Sequence, residues 1–365
     1  MSAVQQIDAI IVGAGFSGMY QLLSLRDKLG MSAKVLEAGS GVGGTWFWNR
    51  YPGARCDSES HSYMYYFSKE LVHEWEWTER YPQQPEILRY LNYVADKFKL
   101  RPDIELNTRM QAAKFDTATN RWLITTDKGQ QYSAKYFITA VGCLSSANLP
   151  KIEGISDFKG KWYHTGEWPH EGVDFKGKRV AVIGTGSTGI QAIPVIASQA
   201  AHVTVFQRTA NYSLPARHHK LSDDFKKYAK EHADDIYEIM TTNTNGHPFH
   251  MQDRSIFDVT DEEREKIFEE LWAQGGFQFR AAFKDILTSQ QANEKAAEFI
   301  RKKIREMVKD PVTADLLSDI DHPFAAKRPP VDDNYFDTYN RDNVKLINLR
   351  KTPIERITAK GVKTT

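Results

Sequence analysis

Cysteine is almost absent from this chain: Cys56 and Cys143 are the only two in 365 residues. That leaves neither a disulfide framework nor a thiolate metal cluster, and points to a reducing, cytoplasmic setting. There is no CxxC or CxxxxC pair, so a dithiol-disulfide reductase is set aside. His218, His219, His247 and His250 stand at no metal-ligand spacing, and no metal is expected. Long apolar runs are missing too, so no segment reaches membrane-spanning length. The opening MSAVQQID lacks the basic region of a signal peptide and leads straight into a strand, so a soluble protein is expected. Neither sign of charge is in excess. The 48 Lys and Arg offset 47 Asp and Glu to leave +1, which argues against a nucleic-acid footprint or a polybasic membrane surface. What the chain does have is length for two or three domains, with 41% hydrophobic and 12% aromatic residues to build their cores.

The first informative stretch is Asp8–Val12, DAIIV, which reads as a buried parallel strand. It runs into Gly13-Ala14-Gly15-Phe16-Ser17-Gly18, then a helical segment, then a second strand, AKVLEAG, containing Glu37. Strand, glycine turn, helix, strand and acid together form a dinucleotide signal that a bare GxGxxG does not. Gly13 permits the tight turn. Gly15 lets backbone N–H groups approach a pyrophosphate, and Gly18 lets the helix pack closely. Ser17 is counted with the same cofactor-binding turn. Glu37, 24 positions after Gly13, is placed to accept from a ribose diol, and its carboxylate would repel a 2′-phosphate. This site therefore suits FAD or NAD rather than NADP.

A second copy of the pattern begins at Lys178–Ile183. It continues through Gly184-Thr185-Gly186-Ser187-Thr188-Gly189, a helix that includes Gln191, and the strand HVTVFQR ending at Arg208. Arg208 also lies 24 positions after its first glycine. A fixed guanidinium pairs well with phosphate oxygens, so the second site is expected to prefer NADPH, with Thr209 sharing the contact. A surface Arg at a strand end is the plain alternative. These signals give an α/β fold with two dinucleotide-binding (Rossmann-like) domains. Residues 104–140 read as short strands in a meander, and 220–319 as a charged helical insertion in the second domain. Within the insertion, Thr260-Asp261-Glu262-Glu263 is a capping-box pattern, and EKAAEFIRKKIREMVKD an amphipathic helix.

Three further stretches carry more specific wording. One is Gly43-Gly44-Thr45-Trp46 running on through Arg50-Tyr51-Pro52-Gly53-Ala54-Arg55-Cys56-Asp57, where glycines, aromatics and a lone acid suit a flat ring system. Another is Phe158-x-Gly160-x-x-x-His164-x-x-x-Trp168-Pro169, between the two glycine turns. The third is Lys327-Arg328-Pro329. Together they resemble the type I Baeyer–Villiger monooxygenases, with wording most similar to the phenylacetone and steroid monooxygenase branch. The resemblance implies an FAD-dependent, NADPH-consuming enzyme that converts ketones to esters or lactones with O2 through a peroxyflavin. It implies flavin contacts from Thr45 and Trp46, and a place near the nicotinamide cofactor for Arg55 and Cys56. Asp57 would sit by the flavin and tune a reactive Arg. Met110 would meet the adenine through its backbone, and Tyr63 and Gln191 would join the cofactor-binding set. Lys327 would assist the 2′-phosphate, Arg328 would act above the flavin, and His164 would transmit domain motion rather than protons.

By the same resemblance, residues 1–143 form an FAD-binding domain whose C-terminal part is missing, and 144–177 a hinge carrying the fingerprint. Residues 178–219 and 320–350 form the NADP-binding domain, 220–319 its insertion, and 351–365 the start of a return to the FAD domain. Family members continue for roughly another third of their length past the point where this chain reads KGVKTT, and further substrate-pocket residues lie there. Two other functions fit the same turns: a flavin-dependent N- or S-oxygenase, and a non-catalytic FAD/NADP-binding module.

Overall fold

The structure, a computed structural model, describes residues 4–365, which form two compact units. The first comprises the residues up to Arg50, Gln84–Leu149 and Tyr163–Gly172. Its aliphatic run makes β1 (Gln5–Val12), whose Ile10 and Ile11 are both fully buried. Alternate residues of a strand point to opposite faces, so β1 is covered on both sides. A parallel neighbour requires a crossover, and α1 (Phe16–Leu23), extended by a π-helical turn at Ser24–Lys28, carries the chain to β2 (Ala33–Leu36). The short α2 (Thr45–Trp48) and α3 (Gln84–Lys97) follow within this unit. Then come β3 (Ile104–Glu105), β4 (Met110–Asp116), β5 (Arg121–Thr126) and β6 (Gln131–Thr139). The sheet order is β3-β2-β1-β6-β5-β4. β6 lies parallel to β1, while β4, β5 and β6 form the antiparallel meander. Between β3 and β4 the chain turns at Asn107, whose φ is +51°.

The second unit comprises Tyr51–Gln83, Pro150–Trp162 and everything from Val173. Its sheet is all parallel, with β7 (Arg179–Ile183), β8 (His202–Gln207) and β9 (Val344–Asn348) in the order β9-β8-β7, and α4 (Ser187–Gln199) joins the first two. Regular elements between 220 and 319 are all helical. Thr260 caps α5 (Asp261–Gln274) by accepting from Glu263 N, though Glu263 spends its own carboxylate on Arg254. The apolar face of α6 (Gln290–Met307), including Phe299 and Ile300, packs into an aromatic cluster with Phe268, Trp272 and Phe279. A two-residue parallel ladder, Leu214–Pro215 with Val331–Asp332, brings the residues after the insertion back beside β8's continuation. The chain closes in a hairpin of β10 (Ile354–Thr358) and β11 (Gly361–Thr364). Ile357 N donates to Glu153 O at 2.7 Å, and Arg356 pairs with Glu153 and Asp157.

This division differs from the one read from sequence. Residues 51–83 join the second unit because Gly53 lies against the backbone of Gln191 and Arg80 donates to Ala216 O and Gln274 O. The expected hinge is itself divided, 150–162 with the second unit and 163–172 with the first. Residues 351–365, expected to begin a return to the first domain, belong to the second unit through that hairpin.

Candidate functional site

In the first unit the glycine turn is built as its spacing suggested. Gly13 has φ +102° and donates to Leu36 O at 2.9 Å, which closes the turn onto β2. A Cβ on Gly18 would stand 1.8 Å from Gly13 O, so helix and turn pack without room for any side chain. Gly15 caps α1 with no side-chain hydrogen bond, leaving first-turn N–H groups for an anion. Ser17 is exposed in that turn. Glu37 is buried, its Oε2 accepting from Ala14 N and its Oε1 from Gly39 N, both at 2.7 Å. Each carboxylate oxygen keeps a second lone pair, so a ribose diol fits beside these bonds. Thr45 opens α2, and the Trp46 carbonyl accepts from the Gln84 amide. Met110 lies next to a β-bulge: it pairs with Thr126 while Ala112 pairs with Thr125, which takes Gln111 out of the ladder.

The second turn repeats this geometry. Gly184 has φ +106° and donates to Phe206 O at 3.0 Å, and a Cβ on Gly189 would stand 2.4 Å from Gly184 O. Gly186 caps α4 with no side-chain bond, Ser187 and Thr188 begin that helix, and the Thr185 hydroxyl donates to Thr209 O at 3.1 Å. The shared offset of 24, however, does not mean a shared place. Val12 pairs with Leu36 in the first sheet, whereas Ile183 pairs with Phe206 in the second. Glu37 therefore corresponds to Gln207, and Arg208 lies one residue further out. The first crossover is one residue longer, and the π-helical turn at Ser24–Lys28 accommodates such an extra residue. A buried neutral amide thus stands where the first site has a carboxylate, with an exposed guanidinium after it. Arg208 makes no hydrogen bond or ion pair among the described residues, and Lys327 is exposed as well.

Around Asp57 the second unit gathers most of the remaining candidates. Asp57 is 5% exposed and pairs with Arg328 Nη2 at 3.1 Å, the Arg328 side chain itself being 63% exposed. Burial pushes the Asp57 carboxyl up to about 6, against the opposing pull of Arg328, the Val331 N–H and Gln191. Cys56 is buried and its thiol is pushed up to about 12 by desolvation, so it is not a thiolate nucleophile. Arg55 reaches Asp333 at 3.5 Å. Tyr63 follows the short 3-10 turn at Ser60–Ser62. A cavity of about 170 Å³ opens beside Asp57, walled by Tyr81, Phe225, His247, Phe249 and Phe277. The guanidinium of Arg328 lies 6.0 Å from the Phe277 ring centre, within cation–π reach. Gln191, expected among the cofactor contacts, instead spends its amide on residues 51–57. Tyr51, which accompanies it there, was missed because nothing in its sequence setting separates it from the other aromatics of the loop.

The fingerprint residues serve local structure. A Cβ on Gly160 would meet the Phe158 ring at 2.5 Å. His164 Nδ1 accepts from Gly166 N at 3.1 Å and so caps the turn Thr165–Glu167. Trp168 is buried against Tyr163, and Pro169 O accepts from Gly172 N. With Nδ1 used as an acceptor, the His164 ring is oriented by its own turn.

Two strand–glycine turn–helix units, the first marked by an acid and the second by a cation, define a protein with two dinucleotide-binding folds. The chain belongs to the pyridine nucleotide-disulphide oxidoreductase family, which it matches over residues 10–301, and within it to the Baeyer–Villiger monooxygenases. It is 44% identical over 359 residues to a Baeyer–Villiger monooxygenase of Pseudooceanicola batsensis, covering 98% of this chain and 65% of that protein. Identity to a phenazine N-monooxygenase of Lysobacter antibioticus is also 44% over 359 residues, covering 98% and 66%. A solved structure of oxidized steroid monooxygenase bound to NADP superposes with a TM-score of 0.96 at 47% identity, covering 99% of this chain and 69% of that one. The chain thus spans about two thirds of the length of these relatives.

Proposed function

We propose that this chain carries out FAD-dependent, NADPH-consuming oxygenation of ketones to esters or lactones. The observation that carries the reading is the Asp57–Arg328 pair: a buried carboxylate holding a largely exposed guanidinium beside a cavity with aromatic walls. Gly13, Gly15, Gly18 and Glu37 would hold the FAD pyrophosphate and ribose, with Ser17, Thr45, Trp46, Tyr63 and Met110 completing its contacts. Gly184–Gly189, Arg208, Thr209 and Lys327 would hold NADPH, and Arg55 and Cys56 would lie near its nicotinamide. When bound, the flavin supplies hydride acceptance from NADPH and activation of O2.

The chain's own residues bind and polarise. Arg328 offers N–H donors and a permanent positive charge to the ketone oxygen as that oxygen gains negative charge, an effect that is strongest where water is excluded. Asp57, ionised above pH about 6, orients Arg328 by accepting from one Nη of its guanidinium. Tyr81, Phe225 and Phe277 give the carbon skeleton an apolar wall, and the cavity has room for a small ketone. The sparse cysteines favour a reducing compartment, the cytoplasm.

The test is to purify the chain, record its flavin spectrum, and follow NADPH loss across a ketone panel while identifying products by mass. Ester or lactone formation dependent on O2 supports the reading; no ketone-stimulated NADPH loss and no ester defeats it. A second reading, nitrogen oxygenation, is favoured by the equal similarity to the phenazine N-monooxygenase. An N-oxide from a heteroaromatic substrate in the same assay would select it.

A further inference from the structure

Gln191 lies in the first turns of α4, next to the second glycine turn, and its side-chain amide has two N–H donors and a carbonyl oxygen with two lone pairs. All four are used, and all on one segment. Nε2 donates to Arg55 O at 3.1 Å and to Asp57 Oδ1 at 3.2 Å. Oε1 accepts from the Tyr51 hydroxyl at 2.9 Å and from Arg55 N at 3.3 Å. The backbone joins in, since a Cβ on Gly53 would stand 2.5 Å from Gln191 O. Only glycine there lets the loop lie on the helix closely enough for the amide to reach.

We propose that Gln191 is a positioning residue: its amide clasps Tyr51–Asp57 onto the nucleotide-binding helix and so fixes the Asp57 carboxylate opposite Arg328. With every hydrogen-bonding valence spent, Gln191 cannot take a cofactor contact without giving up one of its bonds to Tyr51–Asp57. One Asp57 oxygen is anchored by Gln191 and the other faces Arg328 at 3.1 Å, so the amide decides which oxygen the guanidinium meets. The inference rests on the function proposed above for Arg328, but its structural content does not.

The experiment uses the full chain with aspartate carboxyls labelled with carbon-13, in wild type, Gln191→Leu and Gln191→Glu. Asp57→Asn identifies the Asp57 signal. The groups that face Asp57 are Arg328, Cys56, Tyr51 and Tyr81, with Arg55 on the same segment and Glu59, His61 and His247 lining the same cavity. Burial raises Cys56, Tyr51 and Tyr81 far above neutrality, and Arg328 is the charged group in direct contact with Asp57. Removing the Nε2 donor in Gln191→Leu should move the Asp57 titration to higher pH. Gln191→Glu keeps the size and the acceptors but sets a second carboxylate beside the first, and should move it further. In ketone turnover the acid limb of the pH profile should shift the same way. kcat should fall roughly tenfold to a hundredfold, with KM for the ketone little changed, as expected for a misplaced group. An Asp57 titration unmoved in the folded variants overturns the proposal. Since the titration needs no turnover, failure to oxygenate any ketone would count against the proposed reaction alone. If Gln191→Leu does not fold, Gln191→Glu decides the matter.

Discussion

At the scale of single residues, the centre is governed by an imbalance of exposure. Asp57 is almost wholly withdrawn from water while its partner Arg328 is mostly in it, so the carboxylate serves as an anchor and the guanidinium is free to meet a ligand. Removing the anchored group is the sharper probe. Arg328→Ala should lower the rate of ester formation roughly 10²–10³-fold, the loss typical of deleting a donor to developing negative charge; near-parent rates would discard the assigned role. Arg208 offers a second residue-scale test, since its guanidinium is exposed and unpaired among the described residues. Arg208→Ala should raise KM for NADPH roughly tenfold to a hundredfold, the worth of a charged hydrogen bond, and leave that for NADH unchanged. An unaltered preference between the two nucleotides would move the 2′-phosphate elsewhere.

Elements make the sites possible by how closely they approach. In both halves the first glycine donates to the neighbouring strand and the last abuts the first glycine's carbonyl, which brings each helix N-terminus to its strand end. Gly18→Ala places a methyl where Gly13 O already stands, so α1 must shift. The expected result is a chain that loses bound FAD on gel filtration and melts at lower temperature. A variant that retains stoichiometric flavin would show that this close approach is dispensable. The π-helical turn after α1 is also an element-scale device, because it separates Glu37 and Arg208 by one position of register although their spacing from the first glycine is identical. The buried, neutral Gln207 at the corresponding place sets no carboxylate there, so the two sites differ in charge at matching positions.

For the molecule as a whole, stability should carry a pH signature set by two buried acids. Asp57 and Asp332 are both pushed up to about 6, burial being the leading cause in each. Asp332 accepts from the Ser213 hydroxyl and from Tyr335 N, which holds the strand after Arg328 in place. A folded-state value above the unfolded one means that the folded chain binds these protons more tightly. Their contribution is complete below pH about 4 and lost as pH rises through about 6, on the order of 2–3 kcal/mol for each acid. Thermal unfolding at pH 4.5 and pH 7 should show this loss, and Asp332→Asn should reduce its dependence on pH. An identical slope in the variant would refute the assignment. Surface acids work in a lower window: His322 and Arg350 hold Asp321 down at about 2, so that term fades only in stronger acid.

The sequence by itself determined both glycine turns, the acid at one and the cation near the other, and the helical nature of 220–319, because backbone conformation and hydrophobic period are local properties written residue by residue. It also marked Asp57 and Arg328 through the wording they share with a family. Tertiary structure alone decided that residues 51–83 leave the first unit, since that depends on which helix Gly53 can touch. It decided that Gln191 spends its amide on Asp57, and that Arg208 stands one position beyond the counterpart of Glu37. Those outcomes rest on contacts between residues more than a hundred positions apart and on strand register, and neither is encoded in any one stretch of chain.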